Sequence, residues 1–112
     1  GKTTLALQLL DRGAQLVGDD GVSLNVRDGQ VWAAPVSAIA GLVEVRNVGL
    51  LAFPTTQAPL ALVLRLAPDA PRYVEAAERM TLLGLEIARL WFDPAIPAAA
   101  IRAELALRQH GH

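Results

Sequence analysis

The chain has 112 residues, ten basic and eleven acidic, with a net charge of −1 and 53% apolar side chains. That length suits one compact domain, the apolar content is enough for a core, and the balanced charge gives no electrostatic ground for nucleic acid or an anionic membrane as main partner. There is no cysteine, which excludes a disulfide framework and thiolate metal sites and fits a cytoplasmic protein.

The first residue is not methionine, and Gly1-Lys2-Thr3-Thr4 is the tail of a Walker A pattern, G-x-x-x-x-G-K-[ST], without its first glycine and spacer. The expectation is therefore a fragment cut inside a phosphate-binding loop, with residues 1–112 forming a single domain. Thr3 to Arg12 reads as a helix, with Leu5, Leu9 and Arg12 on one face and Ala6, Leu7 and Leu10 widening the apolar stripe. Gly13 is a natural stop. Ala14 to Gly18 reads as a short buried strand ending on Asp19-Asp20-Gly21. Val22 to Val26 alternates apolar and polar residues, Asp28-Gly29 is a tight-turn signal, and Gln30 to Ala34 is the partner strand.

Pro35 to Gly41 is a small-residue connection, and Leu50 to Phe53 reads as a strand. The apolar run Pro59 to Leu66 suits a central strand. The run from Ala58, broken by Pro59 and Arg65, is far short of the roughly 20 residues of a membrane helix, and no secretory signal peptide is visible. Pro68 and Pro71 mark a loop, Tyr73 to Met80 suits either strand or short helix, and Leu82 to Trp91 reads as extended up to the break at Asp93-Pro94. Pro97 to Gln109 forms an amphipathic helix with Ile101, Leu105 and Leu107 as its apolar positions. Trp32 and Trp91 are expected to pack in the core, and His110 and His112 to lie in a frayed tail.

Three segments carry chemistry. The backbone N–H groups of a loop ending Gly1-Lys2-Thr3 cradle phosphates, the lysine meets the β and γ oxygens, the hydroxyl binds Mg²⁺, and the following helix aims its positive end at the anion. One helix and one short strand later, Asp19 and Asp20 supply carboxylates that can hold Mg²⁺ or act as a base toward a hydroxyl; the alternative is a polar Asp-Asp-Gly turn. The third segment is Gly41-Leu42-Val43-Glu44-Val45-Arg46-Asn47-Val48-Gly49-Leu50, where the alternative for Glu44 and Arg46 is an exposed salt-bridging pair on a strand edge.

Taken together, G-K-T-T-L-A-L-Q-L-L-D-R-G-A-Q-L-V-G-D-D and G-L-V-E-V-R-N-V-G-L-L resemble the catalytic domain of HPr kinase/phosphorylase, especially its short alphaproteobacterial forms, over residues 1 to about 53. The resemblance implies an α/β P-loop kinase core, similar to PEP carboxykinase, with a mixed β-sheet and flanking helices. It implies an ATP- and Mg²⁺-dependent serine kinase acting on the phosphocarrier HPr of the phosphotransferase system, assembled as a homo-oligomer in the cytoplasm. Gly1, Lys2, Thr3 and Thr4 would bind ATP. Thr3 and Glu44, with Asp19 in support, would hold Mg²⁺. Asp20 would take the seryl proton, Arg46 would set the geometry of transfer, and Arg79 would be the family's later catalytic arginine. Asn47 stands where the family usually has glycine, the family's catalytic histidine lies upstream of the loop, and Leu83-Gly84-Leu85-Glu86-Ile87 does not match the family's dephosphorylation segment. Two rival readings are a P-loop kinase for another substrate and a nucleotide-sensing module without catalysis.

Overall fold

The computed structural model describes residues 2–37 and 40–111. Helix α1 spans Lys2–Asp11, strands β1 to β8 follow as Ser23–Arg27, Gln30–Ala34, Leu42–Val45, Gly49–Ala52, Ala58–Pro59, Leu62–Leu66, Glu78–Leu82 and Leu85–Phe92, and helix α2 spans Ala99–His110. Among the described residues the strands form three small sheets, ordered β1-β2-β5, β3-β4 and β6-β8-β7. This is the mixed α/β architecture with flanking helices that the sequence implied.

The expected β1–β2 hairpin forms, one residue later on its first strand, with Arg27 opposite Gln30 and Ser23 opposite Ala34. Asp28 and Gly29 take φ of 51° and 75°, the two positive values that a two-residue hairpin turn matched to strand twist requires. Residues 14–18 form no extended strand; they contribute one parallel bridge, Leu16 to Thr55, reinforced by Thr56 N–H donating to the Leu16 carbonyl at 2.8 Å. Leu16 is nonetheless buried.

The apolar run 59–66 is divided between two sheets. Pro59 ends β5 opposite Trp32, and Leu60 N–H donates to the Val31 carbonyl at 2.8 Å before the chain crosses to β6. The centre of that sheet is β8, parallel to β6 on one side and antiparallel to β7 on the other. Residues 78–82 resolve as strand β7, joined to β8 by Leu83-Gly84 at φ 50° and 81°.

The main core packs α1 and α2 on the β6-β8-β7 sheet. Leu5, Phe92, Ala99, Ala100 and Ala103 are its buried members, with Leu9, Leu64 and Leu66 against them. The expected α1 face is the face used: Leu5 and Leu9 enter this cluster, and Arg12 Nε donates to Glu104 Oε1 of α2 at 2.7 Å. On α2 the assignment reverses. Ile101, Leu105 and Leu107 are 44%, 48% and 50% exposed, and the buried side is the alanine side. Alanine has no γ-carbon, so a helix presenting alanines can approach its neighbours closely without overpacking.

Helix α2 starts without a side-chain cap; Ala98 sits in the left-handed region at φ 63°. Arg102 fixes this entry instead, donating from Nη2 to the carbonyls of Asp93 at 2.8 Å and Ile96 at 3.1 Å, with its guanidinium 4.7 Å from the Phe92 ring centre. Asp93 Oδ1 accepts from Ala95 N–H at 2.9 Å, the side-chain turn that an Asp-Pro break favours. Both tryptophans are half-buried under guanidinium groups. Arg27 lies 4.2 Å from the Trp32 ring, and Arg65 and Arg89 lie 4.8 and 5.8 Å from that of Trp91. Trp32 Nε1 is buried with no hydrogen-bond partner.

Candidate active site

Three separated stretches converge at the N-terminal end of α1. Helix α1 carries no acidic residue in its first turn, so no carboxylate there offsets the positive dipole end at Lys2, Thr3 and Thr4. Leu5, one residue on, is buried in the main core and fixes the direction of that end. A cavity of about 500 Å³ opens beside it, lined by Lys2, Thr3, Thr4, Leu7, Glu44, Val45 and Arg46. The two motifs, some 40 residues apart in the chain, thus share one space.

Glu44 reaches the cavity from β3, paired across the ribbon with Leu50. Arg46 reaches it from the turn that follows. Val48 N–H donates to the Val45 carbonyl at 3.0 Å, closing a four-residue turn with Asn47 at φ 67°. A positive φ at the third turn position is a place for glycine or asparagine, because asparagine tolerates the left-handed region better than other side chains. Asn47 can therefore hold this left-handed position without glycine. Among the described residues the ion pairs are Lys2–Asp20, Arg12–Glu104 and Arg89–Glu78, so Glu44 and Arg46 do not pair with each other and both charges face the cavity.

The Asp19-Asp20 turn is tied to the same region from behind. Leu16 bridges Thr55, just past β4, and Phe53 N–H donates to the Gly41 carbonyl at 2.8 Å, just before β3. Gly18 packs against the far side of the turn: a Cβ there would run into the Gly21 carbonyl oxygen. Asp20 projects toward α1, and Lys2 Nζ lies 3.4 Å from its Oδ1. Asp19 is half-buried in the same turn.

Arg79 lies on β7, opposite Ala88 of β8, and does not line the cavity. Gly1 falls outside the described residues. Two contributors had no role assigned from sequence. Leu7 forms an apolar wall, and its spacing of three and four residues from Thr4 and Thr3 is the signal that puts it on their face. Gly18 holds the acidic turn closed, which only its packing reveals.

Chemically, the site combines an ammonium and a helix N-terminus suited to phosphate, a hydroxyl and a carboxylate suited to a hard cation, a guanidinium, and an exposed carboxylate suited to proton transfer.

No family model matches the chain. Among curated proteins it is 40% identical over 52 residues to the HPr kinase/phosphorylase of Streptococcus thermophilus strain LMD-9, covering 46% of this chain and 17% of that protein. It is 39% identical over 51 residues to the HPr kinase/phosphorylase of Clostridium beijerinckii, again 46% of this chain and 17% of the relative. The chain thus spans about a sixth of the length of the curated relatives it matches. Among solved structures, the Hpr(Ser) kinase/phosphatase from Coxiella burnetii superposes with a TM-score of 0.82 at 22% identity, covering 97% of this chain and 75% of that one. The structural likeness shows a shared fold, and the relatives similar in sequence carry the name of the family that the motifs resemble.

Proposed function

We propose that this chain is part of an ATP-dependent protein-serine kinase whose substrate is the phosphocarrier HPr, working in the cytoplasm. The observation that carries the reading is the single cavity that gathers Lys2, Thr3, Thr4, Glu44 and Arg46, with Asp20 in contact with Lys2. The names of the similar proteins and the shared fold support it.

Phosphoryl transfer asks little covalent chemistry of a protein; it asks for a phosphate cradle, cationic charge and a correctly placed base. Lys2 and the N–H groups at the start of α1 hold the β and γ oxygens of ATP. Thr4 adds a hydroxyl at the same end. Thr3 and Glu44 offer oxygen donors to one cavity, and no group of three or more His, Cys, Asp or Glu gathers among the described residues as an all-protein metal cage would. That donor set fits Mg²⁺, which keeps its waters and takes one or two protein oxygens besides phosphate, with Asp19 in support. When bound, the ion neutralises charge on the phosphate oxygens. Arg46 places a second protein cation where charge builds on the transferred group. Asp20 accepts the proton of the seryl hydroxyl. The proposal extends to the kinase direction, and Arg79, away from the cavity, is not needed for it.

Incubating the protein that carries this chain with ATP, Mg²⁺ and HPr tests the reading. Seryl phosphate on HPr is the expected product. The Asp20→Asn variant is expected to lose about 10²- to 10⁴-fold in kcat, with stability within about 0.5 kcal/mol of the parent because the side chain is exposed. No seryl phosphate on HPr would remove HPr as the substrate; full activity in Asp20→Asn would remove Asp20 as the base.

A further inference from the structure

The lysine assigned to phosphate and the carboxylate assigned to proton transfer touch each other: Lys2 Nζ lies 3.4 Å from Asp20 Oδ1. We infer that this contact is a latch, in which Asp20 holds Lys2 until nucleotide phosphate draws the lysine away, so that nucleotide arrival and release of the base are one event. The inference rests on the kinase reading and adds an order to it, with nucleotide bound before the hydroxyl acceptor is engaged.

Three features support a latch over an incidental pair. The first is competition. The Lys2 side chain lines the cavity with Thr3, Glu44 and Arg46 while it contacts Asp20. A donor given to Asp20 Oδ1 is one fewer for phosphate, and the lone pair that accepts it is one fewer for an incoming hydroxyl.

The second feature is strength. The two side chains are 61% and 93% exposed, and an exposed ion pair changes an equilibrium by only about two- to fivefold. A multiply charged phosphate chain meeting the same ammonium at a helix N-terminus makes a stronger, charge-assisted contact. The exchange therefore runs toward phosphate.

The third feature is that both ends of the latch are fixed, so the exchange needs side-chain motion alone. Lys2 starts a helix whose Leu5 is buried in the main core. Asp20 sits in a turn closed by Gly18 against the Gly21 carbonyl and anchored through the Leu16–Thr55 bridge.

A double-mutant cycle on nucleotide affinity tests the latch. Titration calorimetry with the Mg²⁺ complex of a non-hydrolysable ATP analogue would compare the parent protein, Asp20→Asn, Lys2→Ala and the double variant, with thermal melts confirming that each folds. Asp20→Asn is expected to tighten binding by about two- to fivefold, since it frees the lysine. In the Lys2→Ala background the same change is expected to leave affinity unaltered. If Asp20→Asn does not tighten binding, or tightens it equally in both backgrounds, Asp20 acts on phosphate by simple repulsion or not at all, and the latch is overturned while the kinase reading stands. A parent protein that binds no analogue overturns both.

Discussion

Two antiparallel hairpins in this molecule have similar lengths and opposite circumstances. In β7–β8, the second strand is the centre of a three-stranded sheet, and Ile87, Ala88, Leu90 and Phe92 are all buried. In β3–β4, the ribbon stands as a two-stranded sheet, and Val43, at 2% exposure, is the one buried side chain of its two strands. Val48 and Leu50 are more than half exposed. Yet the second ribbon carries Glu44 and Arg46 to the cavity, whereas the first carries none of its lining. Residues in a close-packed sheet are committed to their neighbours on both sides, and a charged side chain there must be paired, as Arg89 is with Glu78 at 2.8 Å. A lightly anchored ribbon leaves its charges free to meet a ligand, at a cost in local stability.

That contrast can be broken by substitution, and the largest effect is expected on the scaffold side. Phe92→Ala empties a buried ring site against Leu5 and the α2 alanines, and should lower unfolding free energy by about 3–5 kcal/mol in denaturant titration. A loss below about 1 kcal/mol would show that the sheet and helices are not the main store of stability.

Next in size are the turns. Asn47 and Leu83 both sit at positive φ, 67° and 50°, but only Asn47 suits it. Asn47→Val should cost about 1–2 kcal/mol, and Leu83→Asn, at a more than half-exposed position, should gain up to about 1 kcal/mol. Opposite signs in the two melts would sharpen the contrast; equal signs would end it.

The smallest effect is at the sheet surface. The Arg89 hydrogen bond and charge hold the Glu78 carboxyl below the usual glutamate range, against partial desolvation. A folded pKa below the unfolded one adds stability above the unfolded value of about 4.3, and that stability is lost as pH falls through the folded pKa. Glu78→Gln should flatten stability against pH in this acidic window and leave neutral pH little changed. An unchanged slope would show the pair to be energetically silent.

The sequence revealed the parts governed by local chemistry. Asp28-Gly29 fixed one hairpin, and Leu5, Leu9 and Arg12 gave the correct face of α1. The Lys-Thr and Glu-x-Arg elements were singled out by residue type and order, and one cavity gathers Lys2, Thr3, Glu44 and Arg46, with Asp20 touching it through Lys2. What stayed hidden was decided by tertiary neighbours. Period alone shows that α2 has two faces but not which one packs; here the alanines pack and Ile101, Leu105 and Leu107 do not. Apolar content alone made 59–66 one strand, where a proline without an N–H and a hydrogen bond to Val31 divide it between sheets. The bridge at Leu16 has too few partners to read as a strand, although it is the tie that sets the acidic turn.

The alanine side of α2 has a consequence at the other end of α1. Ala99, Ala100 and Ala103 share one cluster with Leu5, three residues beyond Lys2. Their methyl groups act as a shim between α2 and Leu5 of α1, the helix whose first turn carries the cavity residues Lys2, Thr3 and Thr4. Bulk added to that face would press on Leu5 rather than on any residue that lines the cavity. The packing behind α1 thus rests on the smallest side chains that can still fill the space.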